Sequence, residues 1–148
     1  MLLFSTVMGI SFIPPVRART WAVDDDGEAD FRTIQEAINA ASPEDTIFVY
    51  SGTYREHLYI EKPLRLMGEY RHTTIIDGGG EGIVIDIVDT ENVTIEGFAI
   101  TGSGSEFIAP FVPEAVGWPE SGIVVRGKSH GCVIRNNIVR GNNIGIYI

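Results

Sequence analysis

The sequence predicts an all-β protein: a right-handed parallel β-helix with about 23 residues per coil, a capping α-helix at its amino-terminal end and no cap at its carboxyl-terminal end. Three observations lead to this prediction. Apolar and polar residues alternate along many short segments, blocks with the same order of parts recur at a fixed interval, and one amphipathic helical stripe precedes these blocks. Alternation is typical of strands with one buried face, and a fixed interval is typical of stacked coils.

Size and charge narrow the range of partners. The chain has 148 residues, with 11 Lys and Arg against 20 Asp and Glu, for a formal net charge of −9. An acidic surface of this kind repels phosphate backbones, so nucleic acid is not an expected partner. Cys132 is the single cysteine, so no internal disulfide can form.

Residues 1–18 are interpreted as a signal peptide. An apolar run over residues 2–13 is followed by a Pro-Pro break and then by the small or branched residues that precede a cleavage point. The run is shorter than the roughly 20 residues that span a bilayer, so a membrane anchor is the lesser alternative. The sequence thus predicts a secreted or cell-envelope protein with no membrane span once the signal is removed.

The next part, residues 19–45, is predicted to lead into the solenoid and to cap it. Thr33 and Glu36 have the spacing of a capping box. The apolar residues that follow share one helical stripe: Ile34, Ala37, Ile38 and Ala41. A short helix over residues 33–41 would cover the open hydrophobic end of the coils that follow.

Residues 46–148 are predicted to form the coils. Gly122 and Gly145 begin similar blocks one coil apart, and Gly82 begins another such block at a longer interval before Gly122. The extra residues of the longer interval are assigned to a loop insertion at residues 105–121. Asn137 is predicted at a corner, where an amide tolerates a left-handed backbone and bonds to a neighbouring coil.

The last coil begins at Gly145 and is expected to leave an unpaired apolar edge. Such an edge can pair with a second chain, so self-association through residues 145–148 is an expected partner interaction.

Two segments resemble known β-helix families. Residues 30–78, with Gly52-Thr53-Tyr54-Arg55-Glu56 as a G-x-Y-x-E element, resemble the amino-terminal segment of pectin-lyase-fold proteins, including pectin methylesterases. From Gly82 onward, "ENVTIEGFAITGSG" and "CVIRNNIVRGNNIGIYI" are similar to NosD-type repeats, a family described as periplasmic and copper-binding. The resemblance implies the fold strongly and a reaction weakly.

The chain also departs from the enzymes of this fold. The Q-A-V-A-L element of pectin methylesterases, and the aspartate pair with an arginine that follows it there, do not occur in the sequence. No catalytic residue is therefore assigned, and enzymatic activity is left open.

The insertion and the outer face of the neighbouring strands form the candidate binding surface. Alternation places these residues outward: Val84, Asp86, Val124, Arg126 and Tyr147. The insertion adds aromatic residues, and with two of the outward side chains they form the predicted substrate-binding set: Phe107, Phe111, Trp118, Asp86 and Arg126. Aromatic faces beside carboxylates suit a sugar ring. The alternative is that the aromatics pack as a separate small core.

No metal or cofactor can be assigned from the sequence, although two groups offer ligands. Asp24, Asp26 and Glu28 could hold Ca²⁺, but a solvated acidic loop explains them as well. His130 and Cys132 are close in the sequence and could offer a pair of metal ligands. Cys132, however, aligns with Val93 and is most simply a core residue. Copper binding is implied by the family resemblance alone.

Two functions follow. One is an exported β-helix module that binds polysaccharide or cell-envelope material without catalysis. The other is the amino-terminal part of a carbohydrate-active enzyme, a lyase, hydrolase or esterase, whose catalytic residues lie beyond Ile148.

Overall fold

A computed structural model describes residues 17–105 and 119–148. In these residues it has thirteen strands and one α-helix. In chain order they are β1 (Thr20–Val23), α1 (Ile34–Ala40), β2 (Thr46–Val49), β3 (Gly52–Tyr54), β4 (Leu58–Ile60), β5 (Arg65–Gly68), β6 (Thr74–Asp77), β7 (Ile85–Val88), β8 (Thr94–Glu96), β9 (Ala99–Thr101), β10 (Ser121–Arg126), β11 (Val133–Arg135), β12 (Ile138–Val139) and β13 (Ile144–Tyr147). None of the described segments contains a helix long and apolar enough to cross a membrane. The predicted signal peptide lies almost wholly outside the described residues.

The strands form three parallel sheets. Sheet A has the order β1-β2-β5-β8-β11, sheet B has β3-β6-β9-β12 and sheet C has β4-β7-β10-β13. From β2 onward the chain visits sheets A, B and C in turn and makes this circuit four times. Ile123 pairs with Ile146, and Val124 with Tyr147, in parallel. The prediction of a parallel β-helix with a capping helix is confirmed.

The coil length is less regular than the repeat suggested. The pairing of Ile123 with Ile146 keeps the predicted interval. In sheet A, by contrast, the stretch from Thr46 to its partner Arg65 is shorter than this interval, and the stretch from Arg65 to its partner Thr94 is longer. Coils of unequal length therefore stack in one solenoid.

The sequence alignment of two coils contains an error. Alignment of the blocks that begin at Gly82 and Gly122 places Ile83 opposite Ile123, but the register partner of Ile123 is Ile85, so this alignment is wrong by two residues. A shift of two preserves which face of the strand is buried. The alternating pattern therefore could not detect it.

The core is built from inward residues that stack from coil to coil. Sheet A contributes the column Ile47, Leu66 and Ile95, and sheet C contributes Leu58, Ile85 and Ile123. All six side chains are at most 1% exposed. Full burial of one such side chain contributes about 1.5–3 kcal/mol, so the stacked columns supply the main stabilisation of the coils.

Helix α1 covers the amino-terminal end of these columns. Thr33 Oγ1 accepts a hydrogen bond from Glu36 N, 3.4 Å, which is one of the two hydrogen bonds of a capping box. The predicted stripe is buried: Ile34, Ala37, Ile38 and Ala41 are at most 5% exposed. The helix contacts β1, β2 and β4, which places it on the first coil.

At the corner between sheets A and B, two neighbouring asparagines share the two roles that the sequence predicts for Asn137 alone. Asn136 takes the left-handed backbone, with φ 55°. Asn137 Nδ2 donates to Ile95 O, 2.8 Å, and Asn137 Oδ1 accepts from Phe98 N, 3.0 Å. The amide therefore bridges two coils as expected, while its neighbour accommodates the turn.

Candidate functional site

An open groove of about 610 Å³ runs along the outer side of sheet C. The alternation of β4 and β7 turns Leu58 and Ile85 inward and leaves their neighbours Tyr59 and Asp86 outward, where the two are register partners. The residues that line the groove are His57, Leu58, Tyr59, Glu81, Gly82, Ile83, Asp86 and Glu120. Since β4 and β7 lie in successive coils, the groove crosses from one coil to the next.

One wall is held by hydrogen bonds between loops. His57 Nδ1 donates to the carbonyl of Ile83, 2.7 Å, which fixes the residues before β4 against those before β7. Gly82 N donates to Glu120 Oε1, 3.2 Å, and so ties the same loop to the residue before β10. Three successive coils thereby meet at one end of the groove.

Asp86 and Arg126 form a two-pronged ion pair beside the groove. Arg126 Nε lies 2.9 Å from Asp86 Oδ1, and Arg126 Nη2 lies 2.9 Å from Asp86 Oδ2. The side chains are 15% and 25% exposed, respectively. Hydrogen bonding to Asp86 raises the pKa of Arg126 above its usual value. Because both prongs of the guanidinium are engaged, the pair fixes the orientation of the Asp86 carboxylate.

The structure brings together two of the five predicted binding residues. Asp86 and Arg126 lie on adjacent strands at diagonal positions, since Asp86 is the register partner of Val124. Phe107, Phe111 and Trp118 lie outside the described residues. A role in binding remains a prediction for all five.

Two of the residues expected on the outer face are buried instead. Val84 and Val124 are both 0% exposed. Val84 precedes β7, which starts at Ile85, so the alternation of the strand does not govern it. Val124 lies on β10 between its register partners Asp86 and Tyr147, and Arg126, two residues further along the strand, forms an ion pair with Asp86.

Three of the residues that line the groove are not among those predicted from the sequence: His57, Tyr59 and Glu81. Tyr59 is 43% exposed and supplies the aromatic surface among the described lining residues. The alternation Leu58-Tyr59-Ile60 did carry a signal for an outward tyrosine. His57 and Glu81 lie in loops, whose side-chain directions follow no sequence period.

The G-x-Y-x-E element has a structural role in this chain. Glu56 accepts hydrogen bonds from Ile34 N and Gln35 N, 2.9 Å each, and so satisfies the first turn of α1. Tyr54 is 2% exposed, and its hydroxyl donates to Tyr50 O, 3.0 Å. Burial, and then the charges of Asp25 and Asp24, raise the pKa of Tyr54. The hydrogen bonds of Glu56 thus dock the helix on the first coil.

Two of the three acidic residues considered for Ca²⁺, Asp24 and Asp26, lie close together. In the described part of the chain, one group could share an ion: the carboxylates of Asp24, Asp25 and Asp26 lie within 4.8 Å of one another. Glu28 is not a member, and Asp25 already accepts from Thr53 N, 3.3 Å. Carboxylate oxygens are the ligands Ca²⁺ prefers, and a solvated acidic loop accounts for the same arrangement.

The side chains of His130 and Cys132 make separate contacts. His130 Nε2 lies 2.9 Å from Glu91 Oε2 on the surface. Cys132 packs against the hydrophobic core, as its alignment with Val93 indicated.

Comparisons with known proteins identify the fold. No family model matches the chain, and no curated protein matches its sequence. Among solved structures, a pectin methylesterase variant in complex with a hexasaccharide matches with a TM-score of 0.66 at 17% identity, over 86% of this chain and 45% of that one. A second pectin methylesterase complex with a hexasaccharide matches with a TM-score of 0.48, also at 17% identity, over 77% of this chain and 45% of that one. The chain thus spans less than half the length of these esterases and shares with the first of them the right-handed parallel β-helix fold.

Proposed function

We propose that this chain is an exported β-helix module that binds polysaccharide or cell-envelope material through the groove on sheet C, without catalysing a reaction. The observation that carries the proposal is the exposed ring of Tyr59 beside the fixed carboxylate of Asp86 in an open groove. A sugar offers apolar C–H faces to such a ring and hydroxyl donors to such a carboxylate.

Two further features support this function. The groove crosses from one coil to the next, a geometry that suits an extended chain of sugar units. The structurally similar pectin methylesterase was solved with a hexasaccharide, so the fold can accommodate an oligosaccharide. Export rests on the signal-peptide pattern of residues 1–18, and copper binding has no support beyond the NosD-type resemblance.

The alternative function is the amino-terminal part of a carbohydrate-active enzyme. It is favoured by one observation: the chain corresponds to 45% of the length of the similar esterase. In a longer solenoid, further coils could add paired carboxylates on successive strands, as sugar cleavage requires. Release of methanol or of new reducing ends from pectin by this chain would overturn the non-catalytic proposal.

The binding proposal is tested with Tyr59→Ala and Trp118→Ala after a glycan array has identified a ligand. We expect each substitution to weaken binding by about 1–3 kcal/mol, as for loss of an aromatic anchor, measured by isothermal titration calorimetry. Tyr70→Ala is the matched control, because Tyr70 is 64% exposed in the turn before β6 and does not line the groove.

Circular dichroism separates a loss of binding from a loss of fold. If Trp118→Ala lowers the melting temperature and leaves binding unchanged, the insertion aromatics form a separate small core. If Tyr59→Ala binds as tightly as the unmodified chain, the groove is not the glycan site.

A further inference from the structure

The groove carries an excess of negative charge. Three of the described residues that line it are carboxylates, Glu81, Asp86 and Glu120, and none is Lys or Arg. Arg126 is the cation beside them, and its guanidinium binds Asp86 through both prongs. Among the described residues at the groove, three carboxylates therefore lie near one arginine, which already binds Asp86, and near the imidazole of His57.

The sequence between β9 and β10 adds no positive charge. Residues 105–121 contain Glu106, Glu114 and Glu120 and no Lys, Arg or His. This segment enters β10 directly after Glu120, which lines the groove. The sequence of this segment therefore supplies no Lys, Arg or His to offset the carboxylates that line the groove.

Charge of this sign discriminates between classes of glycan. A polymer of uronic acids would bring a carboxylate on every sugar toward the carboxylates of the groove, and like charges repel. A polymer of amino sugars would bring ammonium groups, which make charge-assisted hydrogen bonds to carboxylates. The ring of Tyr59 can also hold a cation over its face.

We infer that the groove on sheet C selects glycans that carry protonated amino groups, of the glucosamine type, and disfavours uronic acid polymers. This inference rests on the proposed glycan-binding function and specifies its ligand. It separates the chain from the similar esterase, which is named for pectin.

The test uses three hexasaccharides of equal length in calorimetric titrations of the full chain: glucosamine, N-acetylglucosamine and galacturonate oligomers. At low salt, and at a pH below the pKa of the sugar amine, we expect the glucosamine oligomer to bind at least about fivefold tighter than the N-acetylated one. We expect the galacturonate oligomer to bind weakest. In about 1 M salt, where the Debye length is about 3 Å, the preference should shrink toward unity.

Two variants, Glu81→Gln and Glu44→Gln, distinguish an effect of the charge in the groove from an effect of the overall charge of the chain. Both glutamates are exposed, but Glu81 lines the groove and Glu44 lies in the turn before β2. We expect Glu81→Gln to weaken glucosamine binding about two- to fivefold and to lower the ratio of glucosamine affinity to N-acetylglucosamine affinity. Glu44→Gln should change neither.

The outcomes distinguish this inference from the proposed function. Equal or tighter binding of the galacturonate or N-acetylated oligomer would overturn the selectivity and leave a glycan-binding module. An unchanged glucosamine preference in Glu81→Gln, or an equal loss in Glu44→Gln, would also overturn it. If none of the three oligomers and no glycan on an array binds, both proposals fail.

Discussion

At the scale of single residues, Asp45 holds strand β1 to the first coil. Its carboxylate is 1% exposed and accepts from Arg19 N at 2.7 Å, Ser42 N at 2.9 Å and Trp21 Nε1 at 3.0 Å. Asp45→Ala leaves three donors without their acceptor, so we expect a loss of about 2–3 kcal/mol in the free energy of unfolding, measured by urea denaturation. Asp45→Asn keeps one acceptor oxygen and should lose less.

The same carboxylate makes a pH-dependent contribution to stability. Burial by itself would raise the pKa of Asp45, but the hydrogen bonds from Arg19, Ser42 and Trp21 outweigh it and hold this pKa below the ordinary value of 3.8. Its stabilising contribution is therefore complete above pH 3.8 and is lost as the pH falls through the lower native pKa. The stability difference between the unmodified chain and Asp45→Asn should shrink in this acidic range. An equal difference at neutral pH and well below the native pKa would contradict this assignment.

At the scale of secondary-structure elements, the corner between sheets A and B depends on close contact of two coils. Gly68 and Gly97 stack there, and a Cβ on Gly97 would collide with the carbonyl oxygen of Gly68. Gly97 also has φ +85°, where a side chain is strained. We expect Gly97→Ala to destabilise the fold by about 3 kcal/mol or more, because the strain adds to the overpacking.

Gly79→Ala is the control for this corner. Gly79 has φ +71°, but a Cβ there would meet nothing within 4 Å. The substitution should therefore lower the free energy of unfolding only by the conformational strain, about 1–2 kcal/mol. Thermal unfolding of the two variants measures the difference, and equal melting temperatures would show that contact between the coils does not restrict this corner.

At the scale of the whole molecule, the strands of the last described coil have unpaired edges. In the described residues, β11, β12 and β13 each pair on one side only, while Ile146 and Ile148 are 42% and 89% exposed. Apolar edges of this kind pair with other chains, so we expect a polypeptide of these 148 residues to self-associate with rising concentration. Sedimentation velocity checks this. Ile148→Lys should reduce the association because a charge on an edge disfavours pairing, and a monomer at every concentration would disprove the prediction.

Much of the fold follows from short-range patterns. The stripe of α1, the Thr33 and Glu36 spacing and the parallel pairing of Ile123 with Ile146 all agree with the sequence prediction. Each depends on residues a few positions apart or on one clear repeat. The alignment of Ile83 with Ile123 is wrong because the loop before β7 is two residues longer than the alignment assumes. A shift of two leaves the same strand face buried, so the alternating pattern does not reveal it.

The sequence by itself determined that alternating strands stack into parallel coils beneath an amphipathic helix, because burial of one strand face and capping of one helix are local requirements. Only the tertiary structure decided which outward side chains meet. Tyr59 and Arg126 are each far from Asp86 in the sequence, yet Tyr59 is the register partner of Asp86 and Arg126 forms an ion pair with it. The physical reason is that loops of unequal length join the strands, so the register between coils, rather than the spacing along the chain, sets which residues form the groove.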